Sequence, residues 1–200
     1  MDGDLMGVSF VRRPVDGWPV PADSDKYCAF IGRARRGERF CVPAENISCP
    51  LARFHLGVGR TSLDELADTL VGWGDAADRQ RGLRFLEEAT RLQRDFSHIA
   101  FFPTPVPGIA ADLLVLACQA ETAQPIVRRH TARTARPIHS PVSGVGAACG
   151  ECTAYVLERG EPVVSLGCGG SRPAIGLAPG EVLISAPQGT PMYDTLGKQA

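Results

Sequence analysis

Two stretches of this 200-residue chain carry the same pattern, and that internal match constrains the fold more than any single element does. Cys49-Pro-Leu-Ala-Arg53-Phe-His-Leu-Gly57 places cysteine, arginine and glycine at relative positions 0, 4 and 8. Cys168-Gly-Gly-Ser-Arg172-Pro-Ala-Ile-Gly176 repeats them at the same offsets. Upstream of each lies Arg-Gly-Glu, at residues 36–38 and 159–161. Earlier still come Cys28 in the first copy and the Cys149/Cys152 pair in the second. Two related substructures, near 28–57 and 149–176, are expected inside a single domain spanning 1–200, paired about a pseudo-twofold axis.

Such pairing would gather Cys28, Cys49, Cys149 and Cys168 around one site. Four thiolates repel one another unless a cation is present, and they are soft ligands suited to iron–sulfur iron or tetrahedral zinc. Arg53 and Arg172 would offset the negative charge or bind an anionic ligand. The Gly167-Cys-Gly-Gly170 run would let backbone approach closely, with the amides of Gly169 and Gly170 as donors to sulfur or to an anion. An iron–sulfur cluster, 4Fe–4S in type, is the first cofactor reading, with zinc as the alternative. Neither half holds the close cysteine pairs of a zinc ribbon or the run of a bacterial ferredoxin. The close pair Cys149-Gly-Glu-Cys152 leaves a redox dithiol open, and Cys152 is also a candidate to replace Cys149 as ligand. Cys41 and Cys118 sit in apolar runs and read as small core residues. His55, two residues beyond Arg53, is a candidate proton carrier or ligand against ordinary packing, and its repeat counterpart is Ala174. Glu45 and Glu151 are the nearest acids, each a candidate acid/base group or an exposed or turn-capping residue.

Apolar residues make up 44% of the chain and charged ones 22%, enough for a core and unlike a disordered chain. With 22 glycines, 16 prolines and only 6% aromatics, turns and loops are expected rather than a helix bundle. A net charge of −1 offers no attraction to nucleic acid or an anionic membrane, so neither is expected as a partner. Two basic runs, Arg33/Arg35/Arg36/Arg39 and Arg128/Arg129/Arg133/Arg136, read as solvated faces or a small-anion pocket; His130 and His139 flank the second. The longest apolar run, Leu113 to Cys118, is too short to span a bilayer, and Met1-Asp-Gly-Asp lacks the features of a signal peptide. A cytoplasmic location follows as the expectation. There, seven cysteines, an odd number, are poorly explained as disulfides.

The element pattern predicts an α+β or mixed α/β domain. Strands are expected at 8–12, 39–42, 113–118, 163–166 and 182–185. Helices are expected at 27–36, from the Ser62-Leu-Asp-Glu65 capping box to Gly72, at 75–92 with a Glu87–Arg91 pair, and near Pro125 within 119–129. Residues 49–56 form a further short element, and Phe101 to Val106, broken by Pro103 and Pro105, reads as a loop or weak edge strand.

The segments Tyr27-Cys-Ala, Ser48-Cys-Pro, Arg84-Phe-Leu-Glu-Glu-Ala89, Ala111-Asp-Leu-Leu-Val-Leu116 and Val164-Ser-Leu-Gly-Cys-Gly-Gly-Ser-Arg172 resemble those of the DUF169 family of bacterial and archaeal proteins. The resemblance runs from about residue 8 to 187 and implies that the family's cysteines fall on Cys28, Cys49, Cys149 and Cys168. Three functions stay open. The first is an iron–sulfur protein that transfers electrons or acts at a small-molecule redox site, with a redox partner or a small anionic substrate. The second is a non-catalytic regulatory protein holding zinc or an anion, and the third a thiol redox enzyme using Cys149 and Cys152.

Overall fold

The computed structural model describes residues 4–104, 106 and 109–198. Among them, six strands form one mixed-order antiparallel sheet: β1 (Asp4–Val11), β2 (Phe40–Pro43), β3 (His98–Pro103), β4 (Leu113–Gln119), β5 (Val163–Ser165) and β6 (Glu181–Pro187). Their order is β2-β3-β1-β4-β6-β5, with every neighbouring pair antiparallel. Exchanging β1 with β4, β2 with β5 and β3 with β6 leaves that order unchanged, so the sheet has a pseudo-twofold axis between β1 and β4.

Helices obey the same exchange. α1 (Tyr27–Arg35) precedes β2 as a π-helix (Ala147–Tyr155) running into α6 (Val156–Arg159) precedes β5. α2 (Pro50–Leu56) follows β2 as α7 (Ser171–Ile175) follows β5. The halves interlock, since α1 of the first packs on α7 of the second and α2 of the first on the π-helix of the second. Gly32 of α1 makes the first crossing possible: a Cβ there would overlap the carbonyl oxygen of Ala174. At the second, a Cβ on Gly150 would lie 2.8 Å from the His55 ring. His55 and Ala174 occupy equivalent repeat positions, so glycine faces the same repeat position at both crossings. Gly32→Ala forces the α1 and α7 backbones apart and is expected to cost about 1–3 kcal/mol, read as a lower urea midpoint. A change under about 0.5 kcal/mol would contradict a rigid crossing.

Alternation along the strands sorts the core into two layers. Leu113, Val115 and Ala117 join Val8, Phe101 and Leu183 beneath α1, α2 and the π-helix. Leu114, Leu116 and Cys118 join Cys41, Phe102 and Ile184 on the other face, where α5 (Ala120–Thr134) and α8 (Pro191–Gly197) pack. Burial on both faces explains the unbroken apolar run of β4. Cys41 and Cys118 are thus core residues on the face away from the other cysteines.

Several boundaries differ from expectation. β3 is an interior strand between β1 and β2, because its Pro103 falls at the strand end, opposite Met6, where a missing N–H costs no inner ladder bond; Pro105 lies outside the described residues. α3 (Leu63–Trp73) starts at Ser62, whose hydroxyl accepts from the Glu65 N–H at 3.4 Å. α4 (Arg79–Glu88) is shorter than its pattern because Asp78 caps it, its carboxylate accepting from the Arg81 N–H. The helical pair is Arg84–Glu88 rather than Glu87–Arg91, and Arg91 instead donates to the Phe54 carbonyl. α5 carries Pro125 inside it and runs on to Thr134.

Much of the first basic run is used within the fold. Arg33 pairs with Glu38 and lies 4.3 Å from the Phe40 ring centroid. Arg35 joins Asp4, Glu181 and the Gly176 carbonyl, tying α1 to β1, β6 and the end of α7. Burial pushes the Glu181 carboxyl up, but the two-pronged Arg35 contact, the Ala178 N–H and the Arg172 charge outweigh it and hold the group below its ordinary value. A depressed folded value means a contribution fully present above the unfolded glutamate pKa, about 4.3, and lost as pH falls through the folded one. Urea midpoints of the wild type should therefore drop more steeply below about pH 4.3 than those of Glu181→Gln. Parallel acid profiles would refute that role. Among the described residues no helix is long and apolar enough to cross a membrane.

Candidate functional site

The repeat takes physical form at the starts of two short helices. Cys49 is the N-cap of α2, and Cys168 precedes α7 by three residues. The arginine N–H at offset 4 donates to the cysteine carbonyl at 3.0 Å in both copies. The glycine at offset 8 takes φ of 70° and 78°, a left-handed stop that suits glycine. The next residue, Val58 or Leu177, donates back to the arginine carbonyl at 2.8 Å. Cys28 sits in the first turn of α1, and Cys149 in the π-helix that α1 corresponds to.

All four cysteines line one cavity of about 460 Å³, two from each half. Burial first, then the charges of Cys168 and Cys49, push the Cys28 thiol up to about 11. Burial, followed by Cys49, Cys168 and Cys28, raises Cys149 well above its ordinary value. Both thiols, the half-buried Cys28 and the buried Cys149, are sensitive to the charge of other cysteines around the cavity. Among the described residues no group of three or more His, Cys, Asp or Glu side chains is arranged to hold a metal ion.

The loops that present them are clamped in pairs. In the first half Asp25 and Ile47 form a bridge, and Ser48 N–H donates to the Asp25 carbonyl at 2.9 Å, joining the chain before Cys28 to that before Cys49. In the second, the buried carboxylate of Glu151 accepts from Ser143 N–H at 2.8 Å, its hydroxyl at 2.9 Å and the Ser165 hydroxyl at 2.5 Å. Gly167 N–H then donates to that Ser165 hydroxyl. Cys168 Sγ accepts from the Ser171 N–H at 3.3 Å, and the Cys28 thiol points to the Gly170 carbonyl at 3.8 Å. Across the halves, the Thr153 hydroxyl donates to the Ala148 carbonyl and so accepts from Tyr27 Oη at 2.9 Å.

The structure brings Cys28, Cys49, Cys149, Cys168, Gly169 and Gly170 to the cavity, and it does not bring the two arginines. Arg53 donates to the carbonyls of Glu45 and Ile47. Arg172 donates to those of Leu166, Ala178 and Glu181. Both guanidinium groups brace the loop beside their own helix, so charge compensation for the sulfurs does not come from them. Cys152 is wholly buried in the core and is absent from the cavity wall, so the two cysteines of the close pair do not share a surface. His55 is packed between α2 and the π-helix: Nδ1 donates to the Thr90 carbonyl at 2.8 Å, Nε2 is buried with no partner among the described residues, and burial holds the ring below its ordinary pKa. Glu151 is a buried acceptor that organises a loop, and Glu45 contributes its carbonyl to Arg53.

Sequence reasoning missed Lys26, Trp73 and Asp75, which also line the cavity. The usable signal was the Trp73-Gly-Asp75 turn ending an amphipathic helix, one of only two tryptophans in the chain.

No solved structure matches this chain. It is similar to an uncharacterised protein of the archaeon Methanocaldococcus jannaschii, at 21% identity over 175 residues covering 86% of this chain and 75% of that protein. The family model described as DUF169, uncharacterised ArCR, matches residues 2–190. A match over nearly the whole domain, cysteine cavity included, shows that the chain belongs to the DUF169 family.

Proposed function

We propose that Cys28, Cys49, Cys149 and Cys168 hold an iron–sulfur cluster and that the protein works in electron transfer or small-molecule redox chemistry. The observation that carries this reading is the placement of two sulfurs from each pseudo-symmetric half around one cavity. A single zinc ion needs four donors about one point, at roughly 2.3 Å for sulfur. A multi-iron cluster takes one thiolate per iron, so its ligands belong around the wall of a larger space, as these cysteines are. When bound, the cluster would supply reversible one-electron chemistry. The protein's own part is to fix the sulfurs by the paired loop clamps and to keep water from Cys149, which is buried. The Ser171 N–H on Cys168 Sγ would tune the charge on that sulfur.

The test is anaerobic isolation followed by reconstitution with iron and sulfide, with iron, acid-labile sulfide, zinc and visible absorbance measured together. Stoichiometric iron and sulfide with a broad visible band that bleaches on reduction is the expected result. Folded protein that takes up zinc alone, or neither metal, would overturn the proposal and leave the anion- or zinc-binding regulatory reading in its place.

A further inference from the structure

The pseudo-twofold symmetry accounts for four cysteines, but it does not account for the rest of the cavity. Between α2 and β3 the first half inserts α3 and α4, while the second half goes from α7 to β6 through a five-residue connection. The insertion's central turn reaches the cysteines. α3 ends at Trp73, Gly74 reverses the chain with φ of 79°, and Asp75 N–H closes the turn on the Leu70 carbonyl at 2.9 Å. Both Trp73 and Asp75 line the cavity, and so does Lys26 just before Cys28. A centre that only held four thiolates would have no use for a one-sided wall of this kind.

The wall has a definite chemical character. Trp73 is 50% exposed, an unusual state for an indole, and it continues an apolar lining that includes Tyr27, Leu51 and Ala148. Lys26 is the one cation among the described residues that line the cavity, and its ammonium takes part in no ion pair or hydrogen bond among them. Arg35, Arg53 and Arg172 are committed to carboxylates or backbone carbonyls. Asp75 supplies one negative charge on the same wall, so this part of the lining is close to neutral and disfavours a second anionic group. A volume of about 460 Å³, shared with the proposed cluster at its cysteine end, is in the range of small-molecule sites.

We infer that the cysteine cavity also admits one small organic monocarboxylate, its apolar body lying on Trp73 and its acid group meeting Lys26. The role of this ligand as a redox substrate rests on the proposed cluster; its binding does not. Flat apolar surface at the indole and one unpaired ammonium select an aryl or branched-alkyl acid over a sugar phosphate or a nucleotide. Asp75 selects monoacids over diacids by like-charge repulsion.

Calorimetric titration with phenylacetate, phenylsuccinate and 2-phenylethanol tests this on the anaerobically reconstituted protein, with iron and sulfide determined on each sample. Phenylacetate should bind, and the alcohol and diacid should bind at least about tenfold more weakly, since a hydrogen bond to a charged group contributes about 1.5–3 kcal/mol. Lys26→Gln, at an exposed position, should weaken phenylacetate by about tenfold while leaving the thermal midpoint unchanged. Trp73→Ala should weaken it to a similar degree, with a midpoint lowered only by loss of the packed half of the indole. Equal binding of acid and alcohol, an unchanged Lys26→Gln, or no binding of any probe by iron-loaded protein would overturn the inference and leave the cluster proposal standing. Lysine-dependent binding by protein that will not take up iron would do the reverse.

Discussion

Replacing any one of Cys28, Cys49, Cys149 or Cys168 by serine is expected to abolish stable uptake of iron and sulfide, with the visible band lost in step. A serine hydroxyl is close in size to the thiol but does not ionise near neutrality, so the site loses one soft anionic ligand without gross repacking. The same substitution at Cys41, Cys118 or Cys152 should leave uptake unchanged, because these three sulfurs face the core rather than the cavity. Cluster loss should also lower the unfolding midpoint, since a group that binds only the folded state adds to stability in proportion to its binding free energy. The effect should be large here because the four ligands come from both halves and the cluster would link them. Cofactor retained in two or more of the four cavity variants would break the four-ligand arrangement. Loss in Cys152→Ser as well, with the protein folded, would point to that residue as a ligand.

Glu151→Ala should be the most destabilising single polar substitution, at about 3 kcal/mol, with Glu151→Gln costing about half as much. The carboxylate is 4% exposed and receives hydrogen bonds from Ser143, Gly144 and Ser165. Its removal leaves the hydroxyl of the fully buried Ser165 without its charged acceptor, and unsatisfied buried groups cost about 1–3 kcal/mol each. Glutamine keeps one acceptor oxygen but turns an NH₂ toward donors, which is why an intermediate loss is expected. The consequence for the site follows from Gly167, whose N–H rests on that same Ser165 hydroxyl one residue before Cys168. Reconstitution of Glu151→Ala should therefore be incomplete even at temperatures where the protein is folded. Urea unfolding measures the first effect and iron content the second. A stability change below about 0.5 kcal/mol would mean that water replaces the carboxylate and the clamp contributes nothing.

The two arginines of the repeat show where pattern and purpose part. Their spacing from cysteine and glycine was legible because a short helix with a cysteine at its start and a left-handed glycine stop needs a fixed number of residues. Where each guanidinium ends depends on carbonyls that other segments bring near, at Glu45 and Ile47 in one half and at Leu166, Ala178 and Glu181 in the other. No local pattern encodes those partners. The π-helix is a second case. Counted back from the glycines at 37 and 160, Cys28 and Cys149 do not fall at equal distances. The wider turns of the π-helix take up the extra residues, placing Cys149 on the cavity and Cys152 in the core while Gly146 and Gly150 make room for the His55 ring.

The repeated Cys/Arg/Gly framework alone pointed to two related substructures, and the pattern of strands and helices pointed to a mixed α/β domain. Both signals are local, carried by offsets and alternation that a chain cannot satisfy in many other ways. Only the tertiary structure decided that Cys149 rather than Cys152 reaches the wall, that the arginines brace loops, and that Lys26, Trp73 and Asp75 complete the cavity on one side. Those outcomes depend on which half crosses which, and that is settled by the close contacts of Gly32 with the Ala174 carbonyl and of Gly150 with the His55 ring, between segments far apart in the chain.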